Sequence, residues 1–381
     1  MTSFLVPLVS LFIYVLGSHS ANIFVSVALE LSSYSATAIG FMNSIGYIGL
    51  LAAGYNADIL IAREGHSKTF IYTAFLLSFL SILFYVTHHY FLWCLYRFVF
   101  GYIVGIMYVV IESWMLLLPP VSKRIFRLSC YMLVLYLSQS LSGFIVQIQP
   151  NSYTPFLISS IFLILSIFPM IFSKKIHKNI NEEQIQIMNF RDIYHISKIG
   201  FWGSLLSGIV TGSYVSLFPS IAIRSTISVG MTMFILHGAG GLAQWPIGVI
   251  AQKYGNKKIL TLLSLGIGLV SCLVLLDKLN YVTIGLLGTF SFTLYPLSIA
   301  LACDGMKTQE IVSASKILLV AYSIGSIIAP PIIGLSIDYF NNNFLLFSIT
   351  GFFAGAYFLI LLINKDKIYK KQNLKFKRKK L

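Results

Sequence analysis

Apolar stretches of about 20 residues follow one another along nearly the whole chain, each closed by a short polar or glycine-containing break. That is the length a helix needs to cross the hydrocarbon of a bilayer. Read with this window, the sequence predicts twelve spans: 4–29, 38–61, 69–87, 91–113, 128–148 and 154–172, then 199–222, 229–251, 259–276, 281–302, 315–336 and 344–363. One long polar stretch, SKKIHKNINEEQIQIMNFRDIYHISK at 173–198, separates two sets of six. The expected organisation is an N-terminal six-helix bundle (1–172), a cytoplasmic linker (173–198), a C-terminal six-helix bundle (199–363) and a basic cytoplasmic tail (364–381). The fold class is an all-α membrane protein with two pseudo-symmetric bundles. The first apolar segment outruns a signal-peptide core and lacks a basic leader, so it reads as a retained span.

Composition agrees. Of the 381 residues 57% are hydrophobic and 10% charged, where a soluble domain carries about 25% charge. The net charge of +15 does not describe a nucleic-acid surface, because the basic residues are confined to short loops and the tail. With the N-terminus inside, all of the 27 Lys and Arg lie on cytoplasmic segments except Arg97, within a span, and Arg224 and Lys278, outside. This satisfies the positive-inside rule and places both termini in the cytoplasm. Cys94, Cys130, Cys272 and Cys303 lie in or beside apolar segments at no metal-binding spacing, and they read as small apolar residues. No cofactor, metal or nucleic-acid partner is expected; the partners are the bilayer and an unidentified small molecule, with protons as a candidate coupling ion and the chain a monomer.

The halves look like copies. After the second span comes Gly54-Tyr-Asn-Ala-Asp58 and then Arg63-Glu64-Gly65-His66-Ser67-Lys68; after the eighth comes Gly248-Val-Ile-Ala-Gln252-Lys253-Tyr254-Gly255-Asn256-Lys257-Lys258. Two such turns at matching places indicate an internal repeat. The fourth span carries Arg97, Gly101 and Gly105 at four-residue spacing, and the eleventh carries Gly325-Ser-Ile-Ile-Ala-Pro330-Pro331-Ile-Ile-Gly334. Small residues at this spacing let helix backbones approach closely.

These residues resemble the major facilitator superfamily, whose loop between the second and third spans reads G-x-x-x-D-R/K-x-G-R/K-R/K and whose fourth span reads R-x-x-x-G-x-x-x-G. Ile111-Glu112-Ser113-Trp114 and Tyr295-Pro296-Leu297-Ser298…Asp304 are similar to the YcaD-like bacterial subgroup. The resemblance implies a transporter in a bacterial inner membrane, a central cavity lined by the first and eighth spans, and a cytoplasmic latch. Gly54, Asp58, Arg63, Lys68, Glu112, Gln252, Lys253, Gly255 and Asp304 are the gating candidates, and Gln252 weakens the second copy because it brings no charge. Gly101, Gly105, Gly325, Pro330, Pro331 and Gly334 are the packing candidates.

Polar residues deep in spans complete the picture, because lipid cannot solvate them. Arg97 lies about 10 Å from the outer end of its helix, as an anion contact, a coupling residue or a structural arginine bonded to a neighbouring helix. Glu112, about 22 Å further along the same helix, is expected to meet Arg63 or Lys68. No acid lies at mid-membrane, since Glu30 and Asp338 fall at outer ends. His19 and His237, both near the middle, are therefore the titratable candidates for proton relay or substrate binding. Asn22, Asn43, Gln139, Tyr214 and Gln244 are candidates for the remaining cavity wall. An arginine without a deep acid leans toward an anionic or neutral solute. No GxxxxGK[ST] phosphate loop is present, so the expected function is secondary transport by rocker-switch alternating access. A membrane enzyme, or a receptor or scaffold on a transporter fold, is the alternative.

Overall fold

The computed structural model describes residues 2–117, 124–148, 152–171, 197–276, 279–304 and 308–363. These form twelve helices long and apolar enough to cross a membrane. In chain order they are α1 (Thr2–Leu31), α2 (Ala36–Glu64), α3 (His66–Val86), α4 (Tyr90–Leu117), α5 (Arg124–Gln147) and α6 (Thr154–Ile171, interrupted at Ser166). The second set is α7 (Lys198–Arg224), α8 (Val229–Tyr254), α9 (Asn256–Leu275), α10 (Tyr281–Ala302), α11 (Thr308–Phe340) and α12 (Leu345–Ile363). The expected linker and tail lie almost wholly outside the described residues.

Packing repeats between halves. In the first, α2 packs on α4, α1 on α5, and α3 on α4 and α6; in the second, α8 packs on α10, α7 on α11, and α9 on α10 and α12. The turn between α2 and α3 breaks at Gly65 (φ +81°) and the one between α8 and α9 at Gly255 (φ +95°). Only glycine enters this backbone region without strain, which is why the repeated loop keeps a glycine there. Each turn also closes its helix the same way, with the glycine N–H bonding the carbonyl of Ile61 or Ala251.

Prolines 7, 219, 246, 296, 330 and 331 sit inside helices. A bundle tolerates them because neighbouring helices and hydroxyl side chains satisfy the freed backbone groups. Serines serve as interhelical glue in the same way: Ser20 bonds Ser159 and Ser78 bonds Ser160, each at 2.7 Å. Such bonds contribute about 0.6 kcal/mol each.

The halves meet along two seams related by the repeat, α2 against α11 and α5 against α8. Both start at the end of the molecule that carries the turns 32–35, 225–228 and 341–344, here called the turn end. On the first, Gly334 abuts the Ala36 carbonyl, Gly40 abuts the backbone of Pro330 and Pro331, and Ser44 donates to the Ile327 carbonyl at 2.6 Å. On the second, Gly143 abuts Gly230, Ser140 donates to the Phe234 carbonyl at 2.7 Å, and Gln244 donates to the Tyr136 hydroxyl at 3.1 Å. At the opposite end, where α1 begins and α12 stops, the repeated motif glycines Gly54 and Gly248 face open space among the described residues. The halves are thus zipped at the turn end, while among the described residues the two motif glycines at the terminal end meet no neighbour.

Candidate functional site

The turn end is locked by charge. Asp338, at the end of α11, accepts from the backbone N–H groups of Ala36 (2.9 Å) and Thr37 (2.8 Å) and from the Thr37 hydroxyl (2.5 Å). It caps α2 from the other half, where free N–H groups and the helix dipole favour an anion. One turn before Asp338 is Gly334; one turn before Gln147, on α5, is Gly143. Gln147 accepts from the Ser228 hydroxyl at the start of α8, at 2.9 Å. The two seams therefore end in matching polar clasps, charged on one side and neutral on the other. Arg224 of α7 adds a third, pairing with Glu30 of α1 at 2.7 Å and with Asn343 at 3.3 Å. Asp338→Ala removes the cap, and the turn end is expected to open by about 1 kcal/mol, read as faster alkylation of a cysteine placed at Ser44.

Beneath the clasp lies the buried arginine. Arg97 is 5% exposed, and its guanidinium donates to the amide oxygens of Asn22 on α1 and Asn43 on α2. The Phe100 ring lies 5.7 Å from its charge centre. Its Nε has no partner among the described residues. Room for the group comes from Gly46, where a Cβ would stand 2.9 Å from Nε. Asn43 in turn donates to Ser26 (2.9 Å) and, more weakly, to the Ser216 carbonyl of α7 (3.4 Å), to which Ser26 also donates (2.9 Å). The arginine is thereby wired from α4 through α2 and α1 into the second half. No carboxylate takes part, since the ion pairs between described residues join Arg224 to Glu30 and Arg63 to Glu64.

Next to it the two mid-span histidines meet. The rings of His19 (α1) and His237 (α8) are 4.7 Å apart and nearly perpendicular, and both are buried. His237 Nδ1 is 3.0 Å from the Met233 carbonyl. A carbonyl only accepts, so Nδ1 carries the proton and Nε2 is the free base. His19 Nε2 has no partner among the described residues. Phe292 of α10 packs on His237 at 5.0 Å, and Tyr136 of α5 packs on Phe292 at 6.1 Å. Arg97 lies within electrostatic reach of His19.

Toward the terminal end, tyrosines from both halves gather around Tyr322. Tyr322 (α11) lies within electrostatic reach of Tyr47 (α2), Tyr108 (α4), Tyr136 (α5) and Tyr295 (α10). Its ring is 4.9 Å from that of Tyr295, and its hydroxyl bonds Thr211 at 2.9 Å. Gln139 bonds Tyr108 and Gln244 bonds Tyr136, so both expected glutamines sit in this wall. The phenols escape sequence reading because tyrosine is equally at home facing lipid headgroups. Tyr214 sits elsewhere: it bonds Thr350 at 3.1 Å and packs between Phe218 and Phe347, inside the second half.

Among the described residues no ion pair joins one gating candidate to another. Arg63 is exposed and 3.5 Å from Glu64, and Gln252, Lys253 and Asp304 are exposed. The Asp58 side chain lies outside the described residues. Glu112 does not pair with Arg63 or Lys68; its field acts on Tyr131 of α5 and Tyr295 of α10 instead. Of the packing candidates, Gly101 and Gly105 abut α2, Gly325 abuts α7, and Pro330 and Gly334 lie in the α2–α11 seam, with Pro331 beside Gly40.

The Major Facilitator Superfamily model matches residues 8–315 and again 200–380, the second match starting where the second half starts. The chain belongs to the major facilitator superfamily. Among its relatives, an MFS-type transporter of Yersinia enterocolitica, YE1530, is 27% identical over 380 residues, covering 95% of this chain and 96% of the relative. The MFS-type transporter YcaD of Escherichia coli O17:K52:H18 is 27% identical over 350 residues, covering 90% and 91%. The fold is similar to that of the nucleoside transporter NupG (TM-score 0.79, 11% identity, 95% of this chain and 99% of that one) and of a D-xylose-proton symporter (TM-score 0.72, 15% identity, 94% and 96%). The chain is therefore a multi-pass membrane transporter of this superfamily and not an enzyme.

Proposed function

We propose that this transporter is a secondary active carrier that moves a small solute by rocking one half against the other, with the His19–His237 contact as its proton-responsive element. The turn end faces the outside and the terminal end the cytoplasm, as the distribution of basic residues requires. The structure is then the inward-open state. The observation that carries the reading is the ring contact between one histidine from each half, 4.7 Å apart and buried. Two imidazolium charges at that separation would repel by about 3–4 kcal/mol at an effective dielectric constant of about 20. Full protonation is therefore incompatible with the zipped outer end and drives α1 and α8 apart. Arg97 adds to the repulsion and transmits it through Asn22 and Asn43 to the seam. The D-xylose-proton symporter, similar in fold, is named for the coupling proposed here.

The test is the double variant His19→Gln, His237→Gln in lipid nanodiscs. Wild type is expected to gain an outward-open population on acidification, seen as longer distances between spin labels at Ser32 and Thr226. The double variant is expected to lose this response. An unchanged pH response in the variant would remove the histidines from the coupling mechanism.

A further inference from the structure

The second half is grooved between α9 and α12, from Leu275 and Ser348 at the turn end to Ser264 and Phe358 deeper in the bundle. The floor is made of small residues. A Cβ at Gly268 would stand 3.8 Å from the Gly351 carbonyl, and one at Gly355 would meet nothing within 4 Å. The rims are large: Leu269 on α9 is 58% exposed and Phe352 on α12 is 72% exposed. Small residues let the two helices approach closely, and the large ones beside them wall a channel above the contact. Its volume is about 330 Å³. The serines of the lining keep their hydroxyls away from it. Ser264 donates to the Leu260 carbonyl at 2.8 Å and Ser348 to the Phe344 carbonyl at 3.2 Å, while Ser271 is 2% exposed and lies under Gly351. What the channel offers an occupant is hydrocarbon.

Its dimensions choose among apolar occupants. From Ser264 to Leu275 the helix rises about 16 Å, and the hydrocarbon of one leaflet is about 15 Å deep. Spread over that length, the volume makes a channel about 5 Å wide. A helix with its side chains is about 10 Å across and cannot enter. A single alkyl chain, whose carbons stand about 4 Å from their neighbours, fills it, and an empty channel would forfeit those contacts. The groove opens next to the exposed turn at Asn341 and Asn342, at the depth of the headgroups. We infer that this groove is a seat for one acyl chain of a phospholipid from the leaflet at the turn end, with its carbonyl end near Leu275 and Ser348 and its methyl end near Ser264 and Phe358. Such a seat requires that the helices cross a bilayer and is independent of the histidine mechanism.

The experiment uses the full chain in nanodiscs of phosphatidylcholine and phosphatidylglycerol. A small fraction of the phosphatidylcholine carries a diazirine on one acyl chain, placed either near the carbonyl or at the methyl end. After irradiation, adducts are mapped by peptide mass spectrometry. The wild type is expected to be labelled inside the groove several-fold more than at Phe75 and Phe79, which are exposed on α3. The carbonyl-end probe should mark Leu275 and Ser348, and the methyl-end probe Ser264 and Phe358. Gly355→Leu places its side chain in the groove and should bring labelling there down to the level of α3, with an unchanged elution profile. Gly355→Ala should keep the enrichment. Equal labelling of the groove and α3, the reverse order of the two probes, or a Gly355→Leu variant labelled as wild type would overturn the assignment. So would a dimer, seen by mass photometry of the nanodiscs, that Gly355→Leu separates, because the groove would then belong to a second copy.

Discussion

Gly101→Leu is expected to leave no monodisperse protein after detergent extraction. A Cβ at 101 would be driven into the Gly46 carbonyl, and one at 105 would lie 2.6 Å from the Ala53 Cβ and 2.9 Å from the Leu50 carbonyl. The obstacle at 101 is backbone, so no rotamer change relieves it. The α2–α4 contact must open as a whole, which also draws Arg97, one turn away on α4, from Asn43 on α2. Loss of close packing together with a buried polar network belongs to the substitutions that cost more than about 4 kcal/mol. Fluorescence-detected size exclusion of a tagged protein reads the outcome. The contrast is Gly248→Leu, which meets open space in the described structure and should extract as wild type. A normal elution profile for Gly101→Leu would show that the α2–α4 seam is not as tight as described.

The second large effect is Arg97→Ala. It should insert and fold but transport at background level. Two amide oxygens lose their donor, at about 1–3 kcal/mol for each group left unsatisfied. Removing a buried cation that has no carboxylate partner offsets part of this, so the protein survives. What it loses is the connection from α4 through Asn43, Ser26 and the Ser216 carbonyl into the second half. Arg97→Lys should retain part of the function, because both bonds leave from the single Nη2 nitrogen and an ammonium also carries several donors on one nitrogen. Uptake into proteoliposomes of a solute found by a thermal-shift screen of the purified protein reads the loss, with the elution profile as the folding control. Uptake equal to wild type would make the arginine a dispensable packing group.

The spans were legible because lipid demands length and hydrophobicity, and both are written locally. The ends were less so. Hydropathy places the eleventh span at 315–336, but the helix runs from Thr308 to Phe340, because its first turns are polar and leave no mark in a hydropathy window. The sixth span reads as one apolar run, and the interruption at Ser166 falls where Pro169 removes the N–H that would bond the Leu165 carbonyl, a breaker that a hydropathy window does not register. In the site, Arg97, Asn22, Asn43, His19 and His237 stood out because polar groups in lipid are costly. That same rule could not say they would touch one another, which depends on how two halves dock. Tyr214 looked like them but satisfies its hydroxyl on Thr350 within its own half. Glu30 and Arg224 were visible as charges on the outer side, and their pairing across the halves needed the tertiary structure. Asp338 was recognised as an outer-end acid; that it caps a helix of the opposite half is a long-range fact.

The decisive observation is a pair of distances followed together in nanodiscs: one between spin labels at Ser32 and Thr226 on the turn end, the other between labels at Ala62 and Gln252 on the terminal end. Across a pH series the first is expected to lengthen as the second shortens, with the two populations exchanging in equal proportion. Two distances that stay fixed, or that lengthen together, would contradict a rocking carrier.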